Sequence, residues 1–231
     1  MRNDNLFAFA IFAITAFGFF VWGYQYIPTH HFLLFSIASI FGIFMAFNIG
    51  GNDVANSFGT SVGAKTVTIK QALVIAAVFE LSGAIFAGGE VTKTIREGIV
   101  SFPQEGTEPM LFVLIMMSAL LSSGIWLFIA SKKGLPISTT HSIVGGIVGA
   151  GLAMGFTTMS SSEALAMVSW SEIGRIAVSW VISPLLGGIL SYFIYGYIKS
   201  KILIPTRKFT LELKMLKRER KAYKERYLQE L

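Results

Sequence analysis

Six apolar segments, separated by polar stretches, make up most of the chain. A helix needs about 20 apolar residues to cross the hydrocarbon core of a bilayer. Segments of about that length occur at 7–27, 32–50, 70–89, 110–130, 135–156 and 173–198. The pattern predicts an all-α fold, a polytopic bundle of transmembrane helices.

The first apolar segment follows Arg2 and resembles a secretory signal peptide. No small-residue cleavage site follows its apolar core, and the segment continues into Trp22, Tyr24 and Tyr26. Aromatic side chains are enriched where a helix ends at the lipid headgroups. We therefore expect a retained transmembrane helix.

Composition supports a membrane protein and excludes several other classes. Hydrophobic residues make up 53% of the chain and charged residues only 14%, whereas a soluble domain carries about 25% charged residues. The absence of cysteine excludes disulfides and thiolate metal sites. The three histidines lack the spacing of a zinc site, and no nucleophile–base pair is evident. We predict neither an enzyme nor a resident cofactor.

The net charge of +6 comes from one end of the chain. Residues 199–231 hold eleven Lys or Arg and four Glu, a net of +7, and the rest carries eight basic and nine acidic residues. Basic loops stay on the cytoplasmic side of a membrane. Six crossings therefore place Lys65, Lys70, Lys132, Lys133 and the tail in the cytoplasm, and we expect no nucleic-acid partner.

The tail itself, residues 199–231, changes abruptly to a charged sequence that is expected to be helical after Pro205. A solvated or membrane-skimming cytoplasmic segment is the favoured interpretation. A helix that binds a dedicated partner is the less favoured alternative.

A polar sequence with paired glycines, NIGGNDVANSFGTSVG, follows the second apolar segment at positions 48–63. Gly50 and Gly51 are expected to loosen the helix, and Asn52, Asp53 and Asn56 lie within about one turn. Carboxylate, amide and freed carbonyl oxygens suit sodium at a broken helix. An ordinary polar loop with an Asp helix cap remains the alternative.

A second polar sequence, GLPISTTHS at positions 134–142, precedes the fifth segment's glycine-rich part. Pro136 suits a first helical turn. Ser138, Thr139 and Thr140 place hydroxyls beside the unpaired N–H groups of a helix N-terminus, which can bind an anion. A Ser/Thr helix cap within a bundle is the alternative interpretation.

Glu80 lies midway along the otherwise apolar third segment. A carboxylate there costs about 2.5–3.5 kcal/mol on membrane-insertion scales. We expect Glu80 to face the bundle interior and to pair with a cation, a proton or a polar neighbour. A purely structural buried glutamate is the alternative, and His141 alone is weak support for a proton relay.

Four motifs in matching order resemble the PiT family of inorganic phosphate transporters. They are GGNDVANSFGTSVGAKTVTIKQA at 50–72, TIREGI at 94–99, LPISTTHSIVG at 135–145 and WVISPLLG at 180–187. Gly51 departs from the Ala that the family usually has. The resemblance covers about residues 32–198 and implies cation-coupled symport of inorganic phosphate by alternating access, with sodium or protons as the coupling ion.

The resemblance also implies roles for individual residues. Asn52, Asp53 and Asn56 are expected to bind sodium, and Asp53 also to border the substrate. Phosphate is expected at Ser138, Thr139 and Thr140, and Glu80 is the expected transport-critical acid.

The family fold has two repeats of inverted topology, with a re-entrant Ser/Thr hairpin in each. We expect residues 1–31 to be an additional N-terminal helix, 32–198 the first repeat, and 199–231 the start of the inter-repeat loop. A second repeat would then be a required partner in the inner cell membrane. Sulfate transport on the same fold and a non-transporting truncated subunit remain alternatives.

Overall fold

A computed structural model describes residues 2–101 and 109–229 of the chain. Over these residues the fold is helical and contains no strand, as the hydropathy pattern predicts. The helices are α1 (Arg2–Tyr24), α2 (Phe32–Gly63), α3 (Ile69–Glu97), α4 (Pro109–Lys132), α5 (Thr139–Thr158), α6 (Ser161–Ala166), α7 (Trp170–Ile198) and α8 (Ile204–Gln229), with a short 3-10 turn at Thr29–His31 and a π-helical turn at Lys199–Leu203.

Five stretches of helix in the described residues are long and apolar enough to cross a membrane. They include α2, α3, α4, α5 and the helix that begins with α7. A shorter apolar stretch, Phe9–Tyr24, lies within α1.

Helix α2 continues without interruption through Gly50 and Gly51. The prediction of a broken helix at this point is wrong. A glycine weakens a helix by only about 1 kcal/mol, whereas each unpaired backbone group in a bilayer costs several. Continuing the helix is therefore cheaper than breaking it, and no freed carbonyl is available there as a cation ligand.

The C-terminus of α2 is closed by a Schellman motif. The N–H of Thr66 donates to Ser61 O and the N–H of Lys65 to Val62 O. Lys65 takes the left-handed position, with φ 59°, where glycine is usual. These two bonds satisfy carbonyls that the end of the helix would otherwise leave unpaired.

Helices α2 and α4 pack closely and run in the same direction. Gly124 of α4 lies against Phe44, since a Cβ at Gly124 would approach that ring to 2.8 Å. The rings of Phe44 and Phe128 lie 6.0 Å apart, and Asn52, further along α2, reaches Ser131 near the end of α4. Small residues at such crossings let helix backbones approach within a membrane.

Helices α4 and α5 form a hairpin. Gly134 adopts φ 67°, and the N–H of Leu135 donates to Ala130 O to end α4. Along the returning helix the Ser123 hydroxyl donates to Ser142 O at 2.9 Å. A Cβ at Gly146 would lie 2.7 Å from the Ser123 hydroxyl oxygen, so glycine is required for this close approach.

The tip of the hairpin reaches only part of the way along α2. Leu135 meets Asn52, whereas α2 continues to Gly63, about 16 Å or three turns further. Both ends of the hairpin lie toward the start of α2. Helices α4 and α5 are each long and apolar enough to cross a membrane, so the re-entrant Ser/Thr hairpin stays a prediction.

A short antiparallel contact lies beside the open end of the hairpin. Val100 and Val168 form an isolated bridge, and both are buried, together with Ile99 and Met167. Nearby, Ser160 caps α6, and its hydrogen bonds to the Glu163 carboxylate hold the pKa of that group below its usual value. The connection between α5 and α7 is thus an ordered turn.

The chain divides into two compact units, Met1–Glu172 and Ile173–Leu231. In the first unit α1 packs on α2 through aromatic pairs such as Phe20 and Phe35, whose ring centroids lie 5.5 Å apart. In the second unit α7 continues through the π-helical turn into α8. The predicted domain divisions at 31/32 and 198/199 stay predictions, and Met1 and residues 230–231 lie outside the described residues.

Candidate functional site

The buried amide of Asn52 joins α2 to the hairpin. Only 5% of Asn52 is exposed. Its Nδ2 donates to the Ser131 hydroxyl at 3.3 Å and to Leu135 O at 3.4 Å, and its Oδ1 accepts from Asn56 Nδ2 at 3.0 Å. These bonds engage both the NH₂ group and the carbonyl oxygen of the Asn52 side chain. Asn52 therefore positions the hairpin tip.

The carboxylate of Asp53 lies beside the first residue of α5. The Thr139 hydroxyl donates to Asp53 Oδ2 at 3.1 Å, and the half-buried side chain has no other hydrogen bond among the described residues. Consecutive helix residues project about 100° apart, so Asp53 and Asn52 meet the hairpin tip from adjacent faces. The structure thus brings one predicted cation ligand and one predicted phosphate ligand into contact.

Helix α5 presents unpaired donors at its N-terminus. The Ser138 hydroxyl accepts from His141 N, and Ser138 O accepts from Ser142 N. In the described part of the chain, the N–H groups of Thr139 and Thr140 have no partner, and Thr140 is exposed. Two N–H groups and the helix dipole are therefore directed at the same place, which favours an anion.

The hairpin tip borders an open cavity of about 320 Å³. Its walls combine the polar face of α2 with the end of α4 and the turn, and the lining residues are Gly51, Asn52, Ala55, Asn56, Ser131, Gly134, Leu135 and Pro136. Asn56 is exposed here and uses its NH₂ group on Asn52. Of the two side-chain carbonyl oxygens in this pair, the one of Asn56 remains available to a ligand.

Glu80 lies apart from this cluster, on α3. It lines a separate open cavity of about 300 Å³ with Ser57 and five apolar residues of α2 and α3, namely Val54, Phe58, Ile75, Ala76 and Phe79. The side chain is exposed in this unit, and no hydrogen bond or ion pair reaches it from the described residues. Its predicted role as a transport-critical acid remains a prediction.

Two residues of the cluster are absent from the sequence prediction, Ser131 and the backbone carbonyl of Leu135. Ser131 follows an apolar stretch just before Lys132 and Lys133, where a polar residue is ordinary. Its contact with Asn52 spans 79 residues. No local signal could have identified it.

Comparison with known proteins shows a consistent relationship. The family model described as "Phosphate transporter family" matches residues 49–228. "Putative phosphate permease Mb2302" of Mycobacterium bovis is 54% identical over 83% of this chain and 35% of its own length. A "Putative phosphate permease" of Haemophilus influenzae is 49% identical over 69% of this chain and 36% of its own length.

A solved structure gives the same result for the fold. "The sodium-dependent phosphate transporter" is 41% identical, with a TM-score of 0.61, over 72% of this chain and 39% of that chain. The chain spans about a third of the length of the curated relatives that it matches. With a family model that covers most of its residues, the chain belongs to the phosphate transporter family.

Proposed function

We propose that this chain forms one repeat of a cation-coupled phosphate symporter that works by alternating access. The observation that carries the proposal is the hydrogen bond between Thr139 and Asp53. It links the N-terminus of a helix, where an anion can bind, to an acidic group about two-thirds of the way along α2. The relatives are named as phosphate permeases and a sodium-dependent phosphate transporter.

Phosphate binds at the N-terminus of α5 in this proposal. The free N–H groups of Thr139 and Thr140 donate to its oxygens, and the hydroxyl of Thr140 is a further donor. Ser138 caps the helix through His141 N, so it contributes mainly by fixing the first turn. A site without Lys or Arg holds the anion less tightly, which suits a transporter that must release its cargo.

The carboxylate of Asp53 couples phosphate to a cation. Two like charges 4 Å apart repel by about 4 kcal/mol at an effective dielectric constant of about 20. A sodium ion at Asp53, with the Asn56 carbonyl oxygen as a further ligand, removes this repulsion. Sodium therefore raises the affinity for phosphate, and phosphate raises the affinity for sodium by the same factor.

A second repeat, oppositely oriented, completes the site. The cavities at the hairpin tip and at Glu80 are open toward the outside of this unit. Phosphate offers four oxygens, and the hairpin tip surrounds it from one side only. In transporters of inverted repeats the site lies at the repeat interface. The protein works in the inner cell membrane with the basic tail in the cytoplasm.

Uptake by proteoliposomes tests the proposal. The vesicles contain this chain together with an oppositely oriented repeat of the family, supplied as a separate polypeptide. We expect an inward sodium gradient to drive accumulation of labelled phosphate. Thr139→Val should abolish most uptake, whereas Thr157→Val, at the other end of α5, should leave it unchanged.

Other outcomes would identify a different transporter. Uptake driven by a proton gradient alone would assign the coupling to protons. Labelled sulfate accumulating in place of phosphate would contradict the proposed substrate. Equal uptake by wild type and Thr139→Val would contradict the proposed site.

A further inference from the structure

Helix α8 carries an apolar stripe with the spacing of a coiled coil. The positions of this stripe alternate between steps of four and three residues. They are Phe209, Leu213, Leu216, Arg220 and Tyr223. This 3.5-residue repeat is the seam of a two-stranded coiled coil. The four apolar members are 62%, 42%, 60% and 76% exposed, so this face lacks a partner within the described chain.

The charges beside the stripe differ between its two sides. In the heptad notation Phe209, Leu216 and Tyr223 are d positions, and Leu213 and Arg220 are a positions. Glu212 and Glu219 then occupy g positions on one side. Thr210, Lys217 and Lys224 occupy e positions on the other side.

We propose that α8 forms a parallel two-stranded coiled coil with α8 of a second copy of this chain. In a parallel dimer a g residue faces the e residue five positions later in the partner helix. Glu212 then meets Lys217 of the second copy, and Glu219 meets Lys224. The register that aligns the apolar stripe thus also pairs opposite charges.

Membrane topology favours the parallel arrangement. The basic tail orients every copy in the same way across the bilayer, so all copies of α8 leave the membrane on one side and point in one direction. Helix α7 continues through the π-helical turn directly into α8. Two neighbouring copies confined to one membrane therefore meet at a high effective concentration, which lets a short coiled coil form.

Arg220 is the polar residue of the seam, and we expect it to fix the register of the two helices and their number. A single polar residue at an a position fixes register and strand number at a cost in stability. Its guanidinium lies next to Glu219 of the second copy in a parallel pair. The acidic flank also argues against an anionic lipid surface as the occupant, because lipid phosphates would repel Glu212 and Glu219.

Charged residues elsewhere on α8 do not compete with this face. Lys221 and Glu225 pair with each other at 3.8 Å within one helix, on the side opposite to the stripe. Two further apolar residues, Leu211 and Met215, lie outside the stripe, and Arg218 interrupts their row. The stripe is therefore the face of α8 that a second copy covers.

Cross-linking of the whole chain in membranes tests the proposal, and the natural absence of cysteine provides a clean background. Leu216→Cys should form disulfide-linked dimers on mild oxidation. Lys221→Cys, on the outer face, is the matched control and should not. Equal cross-linking at both positions, or none at Leu216→Cys, would overturn the proposal.

Charge reversal separates this dimer from other associations. Glu219→Lys changes attraction to repulsion at the two symmetric contacts between residues 219 and 224. Added to Leu216→Cys, it should lower the cross-linked fraction on the order of tenfold. Adding Lys224→Glu should restore it, and Glu225→Lys should have little effect. Failure of the double reversal to restore cross-linking would overturn the proposed register.

Lipid composition and the seam arginine supply the remaining checks. Arg220→Leu should increase cross-linking, because it removes a charge that the proposed dimer would bury in its seam. A cross-link that appears only with anionic lipids, regardless of charge reversal, would assign the stripe to the lipid surface instead. None of these measurements depends on transport, so their failure would leave the proposed transport function untouched.

Discussion

The hydroxyl of Thr139 donates a hydrogen bond of 3.1 Å to Oδ2 of Asp53, and this contact joins the tip of the α4–α5 hairpin to α2 about two-thirds of the way along that helix. A residue that starts a helix therefore touches an acid from another helix. If Asp53 couples sodium to phosphate, the coupling depends on its charge. Asp53→Asn keeps the size of the side chain and removes that charge.

For Asp53→Asn we expect phosphate uptake to lose most of its sodium activation while the protein still inserts into the membrane. The repulsion that sodium offsets in the wild type is absent from the variant. Initial uptake rates against sodium concentration, with the second repeat present, provide the measurement. Sodium activation equal to that of the wild type would refute the cation-site assignment.

Thr139→Val should weaken phosphate transport by about one order of magnitude or more. The valine keeps the branched shape but cannot donate to Asp53, and losing a hydrogen bond to a charged group costs about 1.5–3 kcal/mol. Thr139→Ser retains the hydroxyl and is the matched control. The concentration dependence of uptake would show the difference, and equal behaviour of the valine and serine variants would contradict the role of the hydroxyl.

Asn52→Ala should destabilise the first unit by about 1–3 kcal/mol, because it removes the two hydrogen bonds that the buried Asn52 side chain donates to the hairpin tip, each worth about 0.5–1.5 kcal/mol. Asn56→Ala is the control, since Asn56 is exposed and contributes one hydrogen bond. Thermal unfolding in detergent, followed by circular dichroism, compares the two. A larger loss for Asn56→Ala would mean that Asn52 does not hold the hairpin.

Glu80 should lie in a water-accessible cavity of the transporter. The intramembrane carboxylate is too costly to face lipid, and it lines an open cavity with Ser57. A membrane-impermeant thiol reagent should modify Glu80→Cys faster than Val78→Cys, which lies on the opposite side of α3. Labelling confined to Val78→Cys would contradict this orientation.

The 231-residue chain alone should not accumulate phosphate in liposomes under a sodium gradient. Its hairpin tip is open on one side, and the basic tail gives every copy one orientation, whereas an inverted pair requires both. Purified chain, reconstituted with and without an oppositely oriented repeat, tests this expectation. Gradient-driven accumulation by the chain alone would refute it.

Hydropathy predicted the helices because a bilayer forces the backbone to pair within each segment. It could not predict where the hairpin tip lies along α2, since the hydrogen bond between Asn52 and Leu135 joins residues 83 positions apart. The same principle explains the failed prediction at Gly50 and Gly51. Two weak helix formers do not outweigh the cost of unpaired backbone groups.

The candidate site was predictable in its residue types and not in its contacts. Polar sequences that adjoin apolar segments identified Asp53 and Thr139 one by one. The bond between them spans 86 residues, and only the packing of α4 on α2 brings them together. The sequence also did not distinguish Asn52, whose amide holds the hairpin, from Asn56, whose carbonyl remains available.

The position of Asp53 within α2 has an electrical consequence for the proposed cation site. Because α2 continues for about 15 Å beyond Asp53, a sodium ion that binds there as proposed would travel through part of the transmembrane voltage on its way to or from the water at the Gly63 end. An elementary charge that crosses half of 100 mV exchanges about 1.2 kcal/mol with the field. Under the proposed coupling, the sodium occupancy of Asp53 would therefore depend on the membrane potential as well as on the sodium concentration, and depolarising the cell would change this occupancy at constant ion concentrations.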